Sequence, residues 1–235
     1  MLIKNEIEQS TKRGTTVDAE VAEALIREII VKRYKPGTPL REQEIADRYK
    51  VSRPSARNAL RLMAYAGFVE VLPFKGARVI AMGFDQFLDI LGLLEDIYAR
   101  CAALAALRMP ANAFNELDAI LSALEMASQE ASEKATLYKL SFGFGEIIGK
   151  YTGSPIAERL LNQVGRLALW QQRLLMPGTP ESESQSLDAH RLTAAGIKGR
   201  QSEVAAGGGR SIVLITRQAL LANQRSAKLD ETQIV

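Results

Sequence analysis

The sequence predicts a mainly α protein in two parts, on three observations. Helical periodicity begins at residue 17, two short strand-like runs lie between residues 68 and 81, and only helical segments follow Met82. The expected division is a flexible arm over 1–14, a small domain over 15–82, an all-helical domain over 83–228 and a tail over 229–235.

Each element follows from its local pattern. Val17, Val21, Leu25 and Ile29, with Ala22, Ile26 and Ile30, recur at helical spacing and make one apolar face, and Thr16 stands where an N-cap belongs. YKPGTP, 34–39, is expected to stop that helix, because Pro36 and Gly37 cannot propagate it. A short helix fits 41–49 with Ile45, Ala46 and Tyr49 inward, and Lys50 and Val51 make a tight turn. Ser52 then caps a third helix, in which Pro54 loses no needed donor. Its inward side is Ala56, Ala59, Leu60 and Met63; Arg53, Arg57 and Arg61, spaced by four, form a separate cationic stripe with Asn58 beside it. The helix runs out at Gly67, and FVEVL and ARVIA read as two strands joined by the turn PFKG. Helix, turn, helix and β-hairpin in this order make a winged helix-turn-helix with a two-stranded β wing.

Beyond Met82 six helical segments, 84–108, 111–131, 132–151, 154–176, 186–200 and 201–226, predict an antiparallel bundle. PGTPESES, 177–184, is the most loop-like stretch. Glycines 207–209 are costly inside a helix, so they imply either a break or a close backbone approach.

The net charge of +3 conceals an asymmetry: residues 1–80 hold 15 Lys+Arg against 10 Asp+Glu, whereas the remainder holds 15 against 17. A basic block beside a near-neutral remainder points to a polyanion partner for the first part alone. No apolar run is long enough to span a membrane and the N-terminus is charged, which gives a cytoplasmic expectation. Cys101, in an apolar run, is expected to be a small buried hydrophobe.

A helix fits the DNA major groove, and arginine grips guanine edges or phosphates with paired hydrogen bonds. The stripe is therefore what a recognition helix would show. Ser52 and Ser55 can hold phosphates at its N-terminus, and Lys75 and Gly76 form a wing tip fit for the minor groove. An ordinary solvated helix face must also account for the short helix, the serine cap and the wing in their order. Against an enzyme with a winged-helix appendage, the helical part offers no Ser-His-Asp set, phosphate loop or metal cluster. A winged-helix adaptor for RNA or protein is separated by duplex-DNA binding that falls steeply with salt.

LREQEIADRYKVSRPSARNALRLMAYAGFVEVLPFKGARV, residues 40–79, resembles the DNA-binding domain of the GntR family of bacterial transcription regulators. The shared pattern is Leu-x-Glu-x-x-Leu-Ala, Val-Ser-Arg, Arg-x-Ala-Leu, a Gly-Phe step and a Gly-tipped wing. The helical remainder resembles the FadR-like branch with its FCD-type effector domain, through LLEDIYARCAALAAL at 93–107. The resemblance implies a homodimer that binds a near-palindromic operator and releases it, as a repressor would, or tightens on it, when a small carboxylate-type metabolite binds the helical domain. Carried over residue by residue, DNA contacts fall on Arg41, Ser52, Arg53, Ser55, Arg57, Lys75 and Gly76. Gln43 stands where many members have arginine, and Pro54-Ser55 replaces a usual Thr-Pro.

Many FCD-type domains bind a divalent metal through an Asp and a His four residues apart and two later histidines. Here the resemblance places those positions on Ser141, Gly145, His190 and about Ile212, which implies no metal and an enlarged cavity. Expected effector-binding residues are His190, Ser141, Arg166, Trp170 and Arg210. His190 is either a pocket residue or a histidine capped by Ser186 or Asp188. Arg166, Arg173 and Arg210 either neutralise a carboxylate ligand or pair with the bundle's own acids, and Trp170 and Phe144 are core or pocket wall.

Overall fold

The computed structural model describes residues 16–72, 75–129, 133–175 and 178–232; the expected arm over 1–14 and the last three residues of the expected tail lie outside them. The chain divides into two compact units between Gly83 and Phe84.

In the first unit, α1 (Val17–Ile30), α2 (Glu42–Tyr49) and α3 (Arg53–Tyr65) surround one core, and a small sheet follows. Thr16 caps α1, accepting from the amide of Ala19 at 3.3 Å. The buried face of α1 is Val21, Ala22, Leu25, Ile26 and Ile29, as the spacing requires, but Val17 is exposed because the first turn extends past the core. The helix also ends earlier than expected. Lys32 adopts the left-handed conformation and the amide of Arg33 bonds back to the carbonyl of Glu28, so the chain turns before Pro36 is reached. Ser52 caps α3, its hydroxyl oxygen accepting from the amide of Ser55 at 3.2 Å. Ala56, Ala59, Leu60 and Met63 are all buried, and each large apolar side chain so enclosed contributes about 2 kcal/mol.

The wing has three strands, not two. β1 (Pro39–Leu40) joins β2 (Val69–Leu72) and β3 (Gly76–Val79) in the antiparallel order β1-β3-β2, with Leu40 opposite Ala77 and Val69 opposite Val79. Two residues carry no periodicity, so β1 was invisible to pattern. Its partner strand recruits it.

The second unit is a bundle of α4 (Phe84–Arg108), α5 (Phe114–Gln129), α6 (Lys134–Lys150), α7 (Pro155–Leu175), α8 (Pro180–Lys198) and α9 (Ser202–Thr232). The most extensive packing is of α9 against α4 and α8, with α7 against α6 and α4. Two expectations are corrected. PGTPESES is mostly helix: Pro180 opens α8, and Thr179 and Ser182 cap it reciprocally, side chain to backbone, at 3.2 and 2.7 Å. α9 runs through the start of the expected tail at 229 as far as Thr232.

Of the alternatives for glycines 207–209, the close approach is realised and the helix is unbroken. A Cβ on Gly208 would lie 2.5 Å from Thr193 Oγ1, and one on Gly209 would lie 2.9 Å from the Tyr98 ring; Gly207 faces open space. Cys101 is 1% exposed, and burial pushes its thiol up to about 11, so it remains a protonated core group. Among the described residues no helix is long and apolar enough to cross a membrane.

Candidate nucleic-acid interface and interior cavity

In the first unit one open groove of about 910 Å³ is bounded by α2, α3 and the wing. Among the described residues its lining holds Arg41, Arg53, Arg57, Arg61 and Lys75 with one carboxylate, Glu42. Gln43 and Gly76 also face it. The fold thus gathers seven of the expected contact residues onto one concave surface; Ser52, Ser55 and Asn58 lie outside its lining.

The three arginines of the stripe are not equivalent. Arg57 donates from Nε and Nη2 to the two carboxylate oxygens of Glu42, at 2.8 and 2.9 Å. The hydrogen bond from Arg57 is the largest influence holding the Glu42 carboxyl below its usual range, with the charges of Arg53 and Arg61 adding to it. An exposed pair of this kind adds little to stability; its effect is directional. One edge of the guanidinium is fixed, and the opposite edge, Nη1 with the second hydrogen of Nη2, stays available to the groove. No hydrogen bond or ion pair ties Arg53 or Arg61 to a described residue.

Glu42 belongs to the matched pattern but was not expected at the interface. Its partner lies fifteen residues away, beyond any helical spacing, and the pairing exists only because the turn folds α2 against α3. Other expected residues are more modestly engaged: Arg41 with Glu44 at 3.3 Å, Gln43 with Asp47 at 2.7 Å and Asn58 with Asp18 at 3.1 Å. The Ser52 hydroxyl caps α3 and also donates to that of Ser55 at 3.1 Å. Gly76 has φ +87°, and a Cβ there would lie 2.5 Å from the carbonyl oxygen of Leu40. The crossing of β1 therefore demands this glycine whether or not a duplex is near.

In the second unit Ser141 Oγ lies 3.0 Å from His190 Nε2, and His190 Nδ1 lies 2.6 Å from the carbonyl oxygen of Ser186. A carbonyl only accepts, so Nδ1 carries the proton and Nε2 accepts from Ser141. Phe144 closes the ring's edge at 4.9 Å between centroids. His190 is held by the backbone carbonyl of Ser186 and its ring is 1% exposed, while it also lines a small cavity. Burial lowers its pKa to about 4. A folded value below the unfolded 6.5 means that the unfolded chain takes up the proton first as pH falls, so this contribution is intact above pH 6.5 and is lost toward pH 4. Its size is roughly 3 kcal/mol. His190→Gln should flatten urea-unfolding stability between pH 6.5 and 4 relative to the parent; an unchanged slope would place the acid sensitivity elsewhere.

Two small cavities, of about 60 and 50 Å³, share Tyr138, Ser141, Gln172 and Thr216 as a common wall. His190 lines the first, and Gly145 and Ile212 line the second. The metal-binding positions of the resemblance are thus neighbours in space, yet they do not fit a divalent ion. Both nitrogens of His190 are engaged, Ile212 is a buried hydrocarbon, and the Tyr98 ring lies 3.2 Å from where a Cβ of Gly145 would stand. That ring also overturns the expected enlargement: it fills the room which a side chain at 145 would take. Arg166, Trp170 and Arg210 do not line either cavity. Trp170 is a fully buried core residue. Arg210 is exposed and pairs with Asp96 at 2.9 Å, so for it the ion-pair alternative is realised.

Residues 18–79 match the family model of bacterial regulatory proteins, gntR family, and residues 89–208 match the FCD domain. The HTH-type transcriptional repressor RspR of Escherichia coli K12 is 33% identical over 70 residues, 30% of this chain and 31% of that protein. The match therefore spans about a third of this curated relative. Among solved structures, E. coli McbR/YncC superposes with a TM-score of 0.71 at 18% identity, covering 91% of this chain and 99% of that one. A GntR-type regulator described as putative from Rhodococcus sp. RHA1 gives 0.68 at 15% identity, covering 88% and 99%. At these identities the likeness is one of fold.

Proposed function

The chain belongs to the gntR family of bacterial regulatory proteins and carries an FCD domain, and from that premise we propose that this DNA-binding regulator grips its operator as a homodimer through two copies of the α3 groove. The observation that carries the reading is the groove's lining, five cations to one carboxylate between a helix face and a wing. Arg57, held by Glu42, presents a free edge suited to guanine O6 and N7; Arg53 and Arg61 flank it for bases or phosphates. Arg41 and Lys75 meet phosphates, while the amides of Gln43 and Asn58 can serve adenine or the backbone. Two such grooves about 34 Å apart reach successive major-groove faces of a near-palindromic site.

The helical unit is the effector domain of this reading. A ligand that binds one arrangement of the dimer better than the other shifts the spacing of the two grooves, and one without that preference does nothing. The sign is repression, carried over from the relative named as a repressor. The carboxylate effector implied by the resemblance finds no lysine or arginine among the described lining residues of either cavity. We therefore keep the effector and its place in the bundle, but not its charge. The setting is the cytoplasm, where the operator is.

Binding of the full chain to duplexes selected from a random library, followed by fluorescence anisotropy over a salt series, tests this. Affinity should fall with a log–log slope of about −0.9 per phosphate contacted, and Arg53→Ala should weaken selected and scrambled duplexes by different factors. Binding that ignores salt, or selects no common sequence, would count against the groove as a reader.

A further inference from the structure

We propose that the two adjoining cavities of the helical unit take a small, uncharged, hydroxyl-bearing ligand and reject carboxylates, with Ser141, Gln172 and Thr216 of their common wall as the recognition groups. This rests on the reading that the helical unit binds an effector, and it names that effector's chemistry.

The first argument is charge. Glu183 is the one Asp, Glu, Lys or Arg among the described lining residues, and its Oε1 is buried with no described hydrogen-bond partner. Lys134 stands 4.0 Å from that oxygen but donates to the carbonyl of Gly178 and does not line either cavity. A ligand carboxylate would therefore meet the carboxylate of Glu183 and no cation among the described lining residues, in a site where an unpaired anion is costly. The histidine does not rescue it. Its Nδ1 proton is given to Ser186 and its Nε2 accepts from Ser141, so the neutral ring has no donor left to offer. Burial keeps that ring neutral at physiological pH.

The second argument is the pattern of unmet hydrogen bonds. Tyr98 is 5% exposed, and its hydroxyl is buried without a partner, as is Asn162 Oδ1; both residues line the second cavity. Gln172 Nε2 makes a long 3.4 Å bond to Thr216 Oγ1, which leaves its second hydrogen and its carbonyl oxygen for a ligand. Ser141 donates to His190 and keeps acceptor lone pairs. Donors and acceptors are thus both left unmet, on the shared wall and in the second cavity beside it. A carboxylate only accepts, whereas a hydroxyl both donates and accepts, so a chain carrying several hydroxyls can satisfy such a wall without adding charge. The small volumes restrict that chain to a few carbons.

The test compares polyols of three to five carbons with the acids of matching skeleton, threitol against tartrate being one pair, on the full chain with and without added zinc. Binding is followed by melting temperature and ligand-observed NMR. At least one polyol should bind, and at least tenfold more tightly than its acid in either condition. Thr216→Val and Gln172→Leu should each weaken that polyol about tenfold while the ligand-free melting temperature stays within a few degrees. Glu183→Gln, which removes the like charge, should narrow the gap between polyol and acid. An acid that binds more tightly than its polyol, or a set in which no polyol binds, overturns the proposal. A polyol that binds with these dependences but leaves operator affinity unchanged would instead sink the regulatory reading and leave the ligand class standing.

Discussion

Arg57→Ala is expected to lower affinity for the selected operator about a hundredfold, and Glu42→Gln, harmful in the parent, is expected to restore several-fold of that loss when added to it. The size follows from losing one bidentate base contact. The reversal of sign follows from the geometry. In the parent, Glu42 holds the Nε and Nη2 edge of Arg57 at 2.8 and 2.9 Å, so the free edge enters the groove already oriented and less freedom is lost on binding. Without Arg57, the same carboxylate stands uncovered in the groove proposed to take DNA, and only then should its neutralisation help. Anisotropy titrations of the parent, both single variants and the double variant form a cycle that isolates the coupling. If Glu42→Gln has the same effect with and without Arg57, the carboxylate is not a positioning residue. Both residues are exposed on one side, and unchanged melting temperatures would show that folding is not what changed.

The second large effect concerns stability and divides two adjacent glycines. Gly208→Ala should destabilise the helical unit by about 3 kcal/mol, the upper end for forcing atoms into a packed site, and Gly207→Ala should stabilise it by up to about 1 kcal/mol through helix propensity. A methyl on Gly208 would lie 2.5 Å from Thr193 Oγ1 and 2.7 Å from the Thr193 backbone nitrogen. Thr193 is fully buried and its hydroxyl donates to the carbonyl of Ala189 at 2.7 Å, so it has nowhere to retreat. Gly207 has nothing within 4 Å. Thermal or urea melts of the two variants should therefore move in opposite directions, by roughly 6–12 °C downward for Gly208→Ala. Equal shifts of the same sign would mean that α8 and α9 are not in the contact described.

The first unit was far more legible than the second. The inward positions of α2 and α3, the caps at Thr16 and Ser52 and the outward arginine stripe all follow from a 3.6-residue period and from hydroxyls that satisfy free amides. These are local interactions, and a local string records them. In the helical unit periodicity placed most of the helices but said little about which residues of different helices meet.

Local chemistry alone thus settled the helices of the first unit, their caps and the surface that carries the cations, because each depends on neighbours within about one turn of chain. Four features depend instead on residues brought together from distant positions: the third wing strand, Glu42 on Arg57, Ser141 on His190, and which two glycines of three must lack a side chain. Such contacts arise only when separate elements pack, since packing geometry, and not spacing along the chain, decides which polar groups and which α-carbons face one another.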